Sequence, residues 1–519
     1  MKIFKTLITT LVLTLMISSC SSLTDENDPG YDAAKIELSD ATVKIDGNEV
    51  GNDPTSAVYT ANDIVYYESG KDFTYGEGTE KDAHAKEDAA AHTVVHITKA
   101  GTYSVSGKLS HGQIAVDLGD GAKENPEAVV TLILSGVDIT CDVAPAVIFY
   151  NVYECGSNDI EKASKDVNTE SAGANVIISD GSVNTVNGSY VERIYKPETV
   201  VLNENKTEVE DADKLHKYDG AFYSKMSMNI NGGKENTGVL NITASNEGLD
   251  SELHLTINGG NININSGNDG INTNEDGISV TTVNGGTVTI NVNGKTGEGD
   301  GIDSNGWLVI NGGKVTASAC SDSADAGIDS DMGIHITGGT VIASGHMLDR
   351  IEDGGQTYSV FNFVEKQTAK SVLTLKNEDG ESIVEYTPDN SYSILIYSSP
   401  DLVAGKYTLW NDGKQMEGQI GGTVGGPGRP EMKPDGIDLP EFSEDFEHPE
   451  GERPHDRPEP PDGEMPTTEQ KPPEGSDFHE KPDRPIGDPD FGDMSVQDLT
   501  SEFKIIDGAN MFNGIVYMD

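Results

Sequence analysis

Short runs of alternating apolar and polar residues recur through the middle of the chain. Val239-Leu240-Asn241-Ile242-Thr243, Asn261-Ile262-Asn263-Ile264-Asn265, Thr287-Val288-Thr289-Ile290-Asn291-Val292 and Leu308-Val309-Ile310 are examples. A period of two puts the β-branched side chains on one face of a strand and the Asn and Thr side chains on the other. A helical reading fails, because nothing repeats at 3.6 and Gly, Asn and Thr are frequent. Between the runs a Gly-Gly pair returns after a β-branched residue and a short polar one. The copies are Ile230-Asn231-Gly232-Gly233, Ile257-Asn258-Gly259-Gly260, Val283-Asn284-Gly285-Gly286, Ile310-Asn311-Gly312-Gly313 and Ile336-Thr337-Gly338-Gly339. Their first glycines are 27, 26, 27 and 26 residues apart.

A repeat of this length without helix formers predicts a solenoid. Some 26 residues suffice for three short strands and three turns. Coiling stacks each rung on the last, roughly 4.8 Å away, with parallel pairing. Gly-Gly supplies a positive φ at one corner of each rung. Asn231, Asn258, Asn284 and Asn311 then form a column whose amides pair along the solenoid axis. The fold class is all-β, a right-handed parallel β-helix, with the hand taken from the chirality of parallel crossovers.

A second motif repeats between the corners: Glu247-Gly248-Leu249-Asp250-Ser251, Asp269-Gly270-Ile271-Asn272-Thr273, Asp300-Gly301-Ile302-Asp303-Ser304 and Asp325-Ala326-Gly327-Ile328-Asp329-Ser330. A degenerate copy precedes them at Gly220-Ala221-Phe222-Tyr223-Ser224-Lys225. The apolar residue after Gly faces the core, and the acid or amide two after Gly faces out. Stacking therefore sets Asp250, Asn272, Asp303 and Asp329 above one another, with Glu247, Asp269, Asp300 and Asp325 beside them. Carboxylates a few ångströms apart repel unless protonated or neutralised. Calcium, which takes six to eight oxygen ligands, suits such a ladder. The lack of His or Cys at these positions argues against zinc or copper there. The plainer reading is a set of solvated turn residues, since Asp and Asn favour turns anyway.

The run Gly299-Asp300-Gly301-Ile302-Asp303-Ser304, followed by Leu308-Val309-Ile310-Asn311-Gly312-Gly313, resembles a bacterial family of carbohydrate-binding parallel β-helix lipoproteins related in fold to the pectate lyases. The segments 101–109, 112–117 and 130–140 resemble its N-terminal rungs. The resemblance covers roughly residues 60–345, with strands to about 420. It implies calcium sites on the helix and binding to plant-type acidic polysaccharides, without catalysis. Asn272 departs from the pattern by replacing an acid.

The remainder of the chain divides by composition. Lys2 and Lys5 precede an apolar run over 7–17, and Ile17-Ser18-Ser19-Cys20 reads as a lipobox. Residues 1–20 are thus expected to be a lipoprotein signal peptide with lipid attached at Cys20. That places the protein outside the cytoplasm, anchored by lipid to the bacterial membrane or cell surface. Residues 21–58 form a tether and lead-in, and the β-helix is set at 59–345 with a polar insertion at 156–217. Strand-like alternation at 346–426 predicts a β-rich cap over the open end of the solenoid. Residues 427–494 are dense in Pro, Asp and Glu and are expected to be disordered. Residues 495–519 are apolar enough to return to the cap as strand. Three further cysteines, Cys141, Cys155 and Cys320, make no disulfide framework; Cys141 and Cys155 are open to pairing or to burial as thiols.

Charge and motifs bound the chemistry. With 35 basic and 88 acidic residues the net charge is −53, which excludes nucleic acid as a partner. The same charge sits awkwardly with an acidic polysaccharide, unless calcium bridges protein carboxylates to uronates. No Ser-His-Asp, Walker, Rossmann or metalloprotease pattern is present. His84, His92 and His96 read as a solvated cluster lacking a carboxylate ligand. Trp307 and Trp410 are taken as packing residues able to stack on sugars. The function expected is calcium-dependent binding of a polysaccharide, possibly pectin-like, without cleavage. One alternative is a polysaccharide lyase with calcium and a Lys or Arg base. Lys225 is the first candidate, aligned with Glu252, Asn274, Asn305 and Asp331, ahead of Lys295 and Arg350. A purely structural surface adhesin is the other.

Overall fold

The computed structural model describes residues 32–420 and 499–518. Cys20 with the signal segment 1–20, and the acidic Pro-rich segment 427–494, lie outside the described residues. What is described is nearly all strand. Its α-helix, Lys86–Ala90, is five residues long.

Through the repeat, each strand pairs in parallel with its counterpart about one repeat later, the third strand on at first and the second at the last coil. On the first face run Met228–Gly232, His254–Ile257, Val280–Val283, Trp307–Ile310 and Gly333–Ile336. On the second run Val239–Ala244, Asn261–Ser266, Thr287–Val292, Lys314–Ser318 and Thr340–Gly345. On the third run Gly220–Ser224, Glu247–Ser251, Ile271–Thr273 and Ile302–Ser304. A chain that meets its own earlier strands in this order is a stack of three-sided, β-helix-like coils. The alternation in the sequence decides what fills it. Ile230, Ile257, Val283, Ile310 and Ile336 stack at 0–1% exposure, as do Leu240, Ile262, Val288 and Val315. The apolar members of the alternation thus form one continuous core along the axis.

The Asn-Gly-Gly corner is built as its residue types require. Asn258 Nδ2 donates to Asn231 Oδ1 at 3.0 Å, Asn284 to Asn258 at 2.9 Å and Asn311 to Asn284 at 3.0 Å. Thr337 continues the column by donating its hydroxyl to Asn311 Oδ1 at 2.6 Å. From Gly260 onward the second glycine of the pair turns the chain at positive φ, +75° at Gly313. A Cβ there would also lie 2.7 Å from the Gly286 carbonyl one coil away.

The stack begins earlier than the comb suggests. Ala34–Leu38 pairs in parallel with Gly101–Leu109, which pairs in parallel with Val130–Thr140. These two long strands turn from the first face to the second at Gly107 and Gly136, both at positive φ, so the two faces join as one sheet. The segment 156–217, read as an insertion, contains a full coil side. Ala174–Ile178 and Val183–Gly188 pair in parallel with Val130–Thr140 before them and with the first comb strands after them. This coil lacks Asn-Gly-Gly and turns at Gly181, which is why the comb does not reveal it. The excursion proper is narrower. Val191–Tyr195 and Lys214–Tyr218 make one antiparallel pair, and Val201–Leu202 with Val209–Asp211 another.

After Thr340–Gly345 the pairing turns antiparallel. Tyr392–Ser398 pairs antiparallel with that last coil strand and with Tyr358–Gln367. Ala509–Tyr517 returns beside Tyr358–Gln367 in parallel, and Phe503–Ile505 lies antiparallel to Gly405–Asn411. Phe361, Phe363, Tyr392, Leu409, Phe503 and Phe512 form the core of this end region.

The Asn column yields a test. Asn284→Ala removes one amide that both donates and accepts along the ladder. Two exposed hydrogen bonds at roughly 0.5–1.5 kcal/mol each suggest a net loss of about 1 kcal/mol. A lower denaturation midpoint is expected, and an unchanged one would mean the column adds nothing to stability.

Candidate functional site

The third face carries the acidic motif. Parallel register sets Tyr223 beside Asp250, Asp250 beside Asn272 and Asn272 beside Asp303. The apolar residue after each glycine (Leu249, Ile271, Ile302, Ile328) is fully buried and anchors the strand to the core. The glycine itself is required by closeness of coils: a Cβ on Gly270 would stand 2.1 Å from Ile290 Cγ2 and 2.6 Å from the Gly301 carbonyl. The acids face away from the hydrophobic core, yet they are hardly exposed. Glu247, Asp250, Asp269, Asn272, Asp300, Asp303 and Asp329 all lie at 0–8% exposure.

Asp325 departs from the expected ladder. Gly248 N donates to the Asp269 carbonyl, Gly270 N to that of Asp300 and Gly301 N to that of Ala326. Ala326 therefore follows Asp300 in register, because the last copy of the motif has one extra residue. The Asp325 carboxylate turns instead to Gly299 N, at 2.6 Å, and to the Ser323 hydroxyl.

The carboxylates gather into two clusters rather than one even ladder. Asp219, Glu247 and Asp250 form one, and Asp300, Asp303 and Asp329 the other; within each, one oxygen per residue lies within 4.8 Å of the others. In the first, Asn272 Nδ2 donates to Glu247 Oε1 at 3.1 Å and Asn274 Nδ2 to Asp250 Oδ1 at 2.9 Å. Glu247 Oε2, Asp250 Oδ2 and Asn272 Oδ1 remain buried without a hydrogen-bond partner. Burial first, then repulsion by neighbouring carboxylates (Asp250 and Asp219 on Glu247, Asp219 and Glu252 on Asp250), pushes both carboxyls well above the usual range. Lys217 partly relieves this cluster, its Nζ 2.8 Å from Asp219 Oδ2. Asp219 in turn raises the Lys217 pKa and keeps the ammonium charged.

The second cluster is organised differently. Asp300 N donates to Asp269 Oδ1 at 2.6 Å, and Ala326 N to Asp300 Oδ1 at 2.6 Å. One oxygen of each of these acids thus ties its coil to the next. Burial pushes the Asp300 carboxyl well up, and the charges that act on it most (Asp329, Asp269, Asp303 and Asp325) are all carboxylates. Grouped, buried carboxylate oxygens beside partnerless amide and carboxylate oxygens are the donor set of a hard divalent cation. The residues fit calcium: several oxygens converge, and no nitrogen or sulfur ligand joins either cluster.

Asp219 and Lys217 were not evident in the sequence. Asp219 precedes the degenerate copy of the motif, and the acid-before-glycine pattern of Asp219-Gly220 was its only signal. Lys225 falls where its register predicts, since Glu252 N donates to the Ser224 carbonyl and Asn274, Asn305 and Asp331 continue that column. Its side chain is exposed. Lys295 is exposed too, and exposed Arg350 pairs with Glu352 at 2.6 Å. The three histidines do not form a solvated cluster. His96 meets Asp63 at 2.8 Å and stacks on Tyr59, while His92 is 3% exposed. Cys141, Cys155 and Cys320 are free thiols, and burial pushes the Cys141 thiol up to about 12.

Parallel coils place this chain among the β-helix-like all-β proteins, with buried carboxylate clusters along one face. The particular family comes from comparison. Residues 91–371, more than half of the chain, match the family described as carbohydrate-binding domain-containing protein, and the chain belongs to that family. No curated protein matches the chain. Among solved structures it is similar to a polysaccharide lyase-like protein from C. thermocellum, determined as a gadolinium derivative. The identity is 21%, the match covers 60% of this chain and 90% of that one, and the TM-score is 0.36. A likeness of that size carries no argument about site or activity.

The raised carboxyls give a pH dependence with a definite sign. In chelator, Glu247, Asp250 and Asp300 hold protons to higher pH folded than unfolded. Below the ordinary carboxylate range, about pH 4, their contribution is fully present; it is lost as pH rises through the raised values. Melting temperature in chelator should therefore fall as pH rises above that range. Asp300→Asn keeps the oxygen that accepts from Ala326 N and removes the charge. It should raise stability at neutral pH in chelator by on the order of 1 kcal/mol. A variant no more stable than the parent would show that the cluster is not strained by its charge.

Proposed function

We propose that this protein is a surface lipoprotein whose right-handed β-helix binds a uronate-rich polysaccharide through calcium, without cleaving it. The observation that carries the reading is the Asp300–Asp303–Asp329 cluster, three buried carboxylates on one face of a carbohydrate-binding family member. Asp300, Asp303 and Asp329 would hold one calcium, and Glu247, Asp250 and Asn272 would offer oxygens to another. Bound calcium supplies positive charge, through which a uronate carboxylate can approach a chain of net charge −53. The lipobox at Cys20 supports an extracytoplasmic place, and the usual hand of parallel crossovers supports a right-handed coil.

The repeating surface also suits a polymer. A groove of about 820 Å³ lies over the first face, between the 165–170 segment and the coils. Thr256, Thr282 and His335 line it beside Asn258, Asn284 and Asn311. Each of these Asn amides spends one N–H and one lone pair on the ladder and keeps another of each for a ligand. A polysaccharide laid along the axis would meet the same groups coil after coil, and many weak contacts add up.

Two features favour binding over lyase chemistry. Lys225 is exposed on the surface and is not enclosed in a pocket that would hold a sugar against it. Lys217, which does reach a carboxylate cluster, is held toward its charged form by Asp219, which disfavours it as a base.

The test is to incubate the protein with polygalacturonate and with neutral glucans, in calcium or in chelator. Retention and the ultraviolet absorbance of unsaturated products are both recorded. Retention on polygalacturonate in calcium, lost in chelator and in Asp303→Ala/Asp329→Ala, without new absorbance, is expected. Calcium-dependent absorbance that disappears in Lys225→Ala would make the protein a lyase. Retention on neutral glucans alone, indifferent to calcium, would refute the uronate reading. Neither signal on any glycan would leave a structural surface protein.

A further inference from the structure

Outside the acidic face, three side chains from consecutive turns converge at one edge of the first coils. His92 follows the short helix Lys86–Ala90, His111 sits between the strands Gly101–Leu109 and Gly112–Asp117, and Asp142 follows Val130–Thr140. Register makes His92 and His111 neighbours, since Thr93 pairs with Gly112 and Thr93 N donates to the His111 carbonyl at 3.0 Å. One ring nitrogen of each histidine and one Asp142 oxygen lie within 4.8 Å of one another. His111 Nδ1 is 3.7 Å from Asp142 Oδ2, and the two imidazoles are 5.5 Å apart, edge to face.

The tautomer of His92 follows from its partners. Nδ1 stands 2.8 Å from the Asp88 carbonyl, which can only accept, so Nδ1 carries the proton. Nε2 therefore holds the lone pair and points toward Asp142, whose N–H reaches it at a long 3.3 Å. A buried imidazole with one nitrogen fixed by a backbone carbonyl, and the other holding a lone pair that accepts only the long Asp142 N–H bond an ion would replace, is oriented as metal-ligating histidines are. We infer that His92, His111 and Asp142 form a site for a divalent transition-metal ion of the zinc type, separate from the carboxylate clusters and chemically unlike them.

Ligand type decides the metal class. Two imidazoles and one carboxylate suit zinc, while calcium takes oxygen ligands. Ligand atoms of a tetrahedral zinc stand roughly 3.3 Å apart. The His111–Asp142 separation is already close to that, and both side chains are more than half exposed and free to close on an ion. Three protein ligands leave a fourth position for water. Because the ligands come from three successive turns, the ion would cross-link coils at the N-terminal part of the stack.

The test uses the whole chain, stripped with chelator and then saturated with calcium to occupy the carboxylate faces. Zinc is titrated by calorimetry and melting is followed in parallel. One zinc per chain, with a higher melting temperature, is expected. His111→Ala and Asp142→Ala should each weaken zinc binding about tenfold or more. Their zinc-free melting temperature should stay at that of the parent, since both residues are exposed. Absence of zinc binding in saturating calcium would overturn the proposal. So would binding of unchanged affinity in the double variant His111→Ala/Asp142→Ala, which would put zinc elsewhere. Polysaccharide retention is a separate measurement, and its outcome does not bear on this one.

Discussion

Parallel, in-register stacking of coils is the constraint on which this protein depends. It sets every residue roughly 4.8 Å from its counterpart in the next coil, so a property of one position becomes a property of a whole column. Where the position is apolar the column is a core, as with Ile230, Ile257, Val283, Ile310 and Ile336. Where it is Asn, each amide donates to the one in the preceding coil, and the column runs as a ladder through Asn231, Asn258, Asn284 and Asn311. Where it is Gly, the coils approach too closely for a Cβ, as at Gly270 against Ile290 and Gly301. Like stacks on like, which is favourable for aliphatics and amides and unfavourable for charges.

The acidic face shows how the chain handles that conflict. Asn272 interrupts the charged column and donates to Glu247. Lys217, brought in from the strand Lys214–Tyr218, neutralises Asp219. Asp269 and Asp300 each accept a backbone N–H from the following coil, so part of their charge serves the stack itself. What is left over is concentrated: Asp300 feels chiefly other carboxylates, and Glu247 Oε2 and Asp250 Oδ2 have no partner. Buried repulsion of this kind is relieved when the carboxyls take up protons or when a cation comes to lie among them. A bound cation would do so and would leave its remaining coordination positions for an anionic ligand.

A stack also has ends, and open strand edges invite pairing with other chains. After Thr340–Gly345 the pairing switches from parallel to antiparallel through Tyr392–Ser398, and an aromatic core takes over from the aliphatic one. The return of Ala509–Tyr517 to Tyr358–Gln367 ties residues late in the chain to this end region. At the other end, Ala34–Leu38 supplies an early strand, folded over by antiparallel contact with Lys44–Ile45.

The sequence by itself determined the coil, because the coil is periodic. Gly-Gly at 26–27 residues, β-branched alternation and the acid–Gly–apolar–acid motif are local patterns, and each states where its residue stands in a column. The family match over residues 91–371 agrees with the carbohydrate-binding resemblance those motifs carry. Aperiodic features were decided only by the tertiary structure. The coil side at Ala174–Ile178 and Val183–Gly188 looks like an insertion in the sequence, since its corner lacks Asn-Gly-Gly. One extra residue beside Ala326 moves Asp325 out of the column, a shift that motif spacing alone does not weigh. Lys217 beside Asp219, and His111 and Asp142 beside His92, are contacts between residues that share no motif. The physical reason is the same in each case. A repeat encodes position along the chain, and stacking converts that into neighbours only while the register is kept; where turns differ in length, the neighbours are chosen by the path of the chain in space.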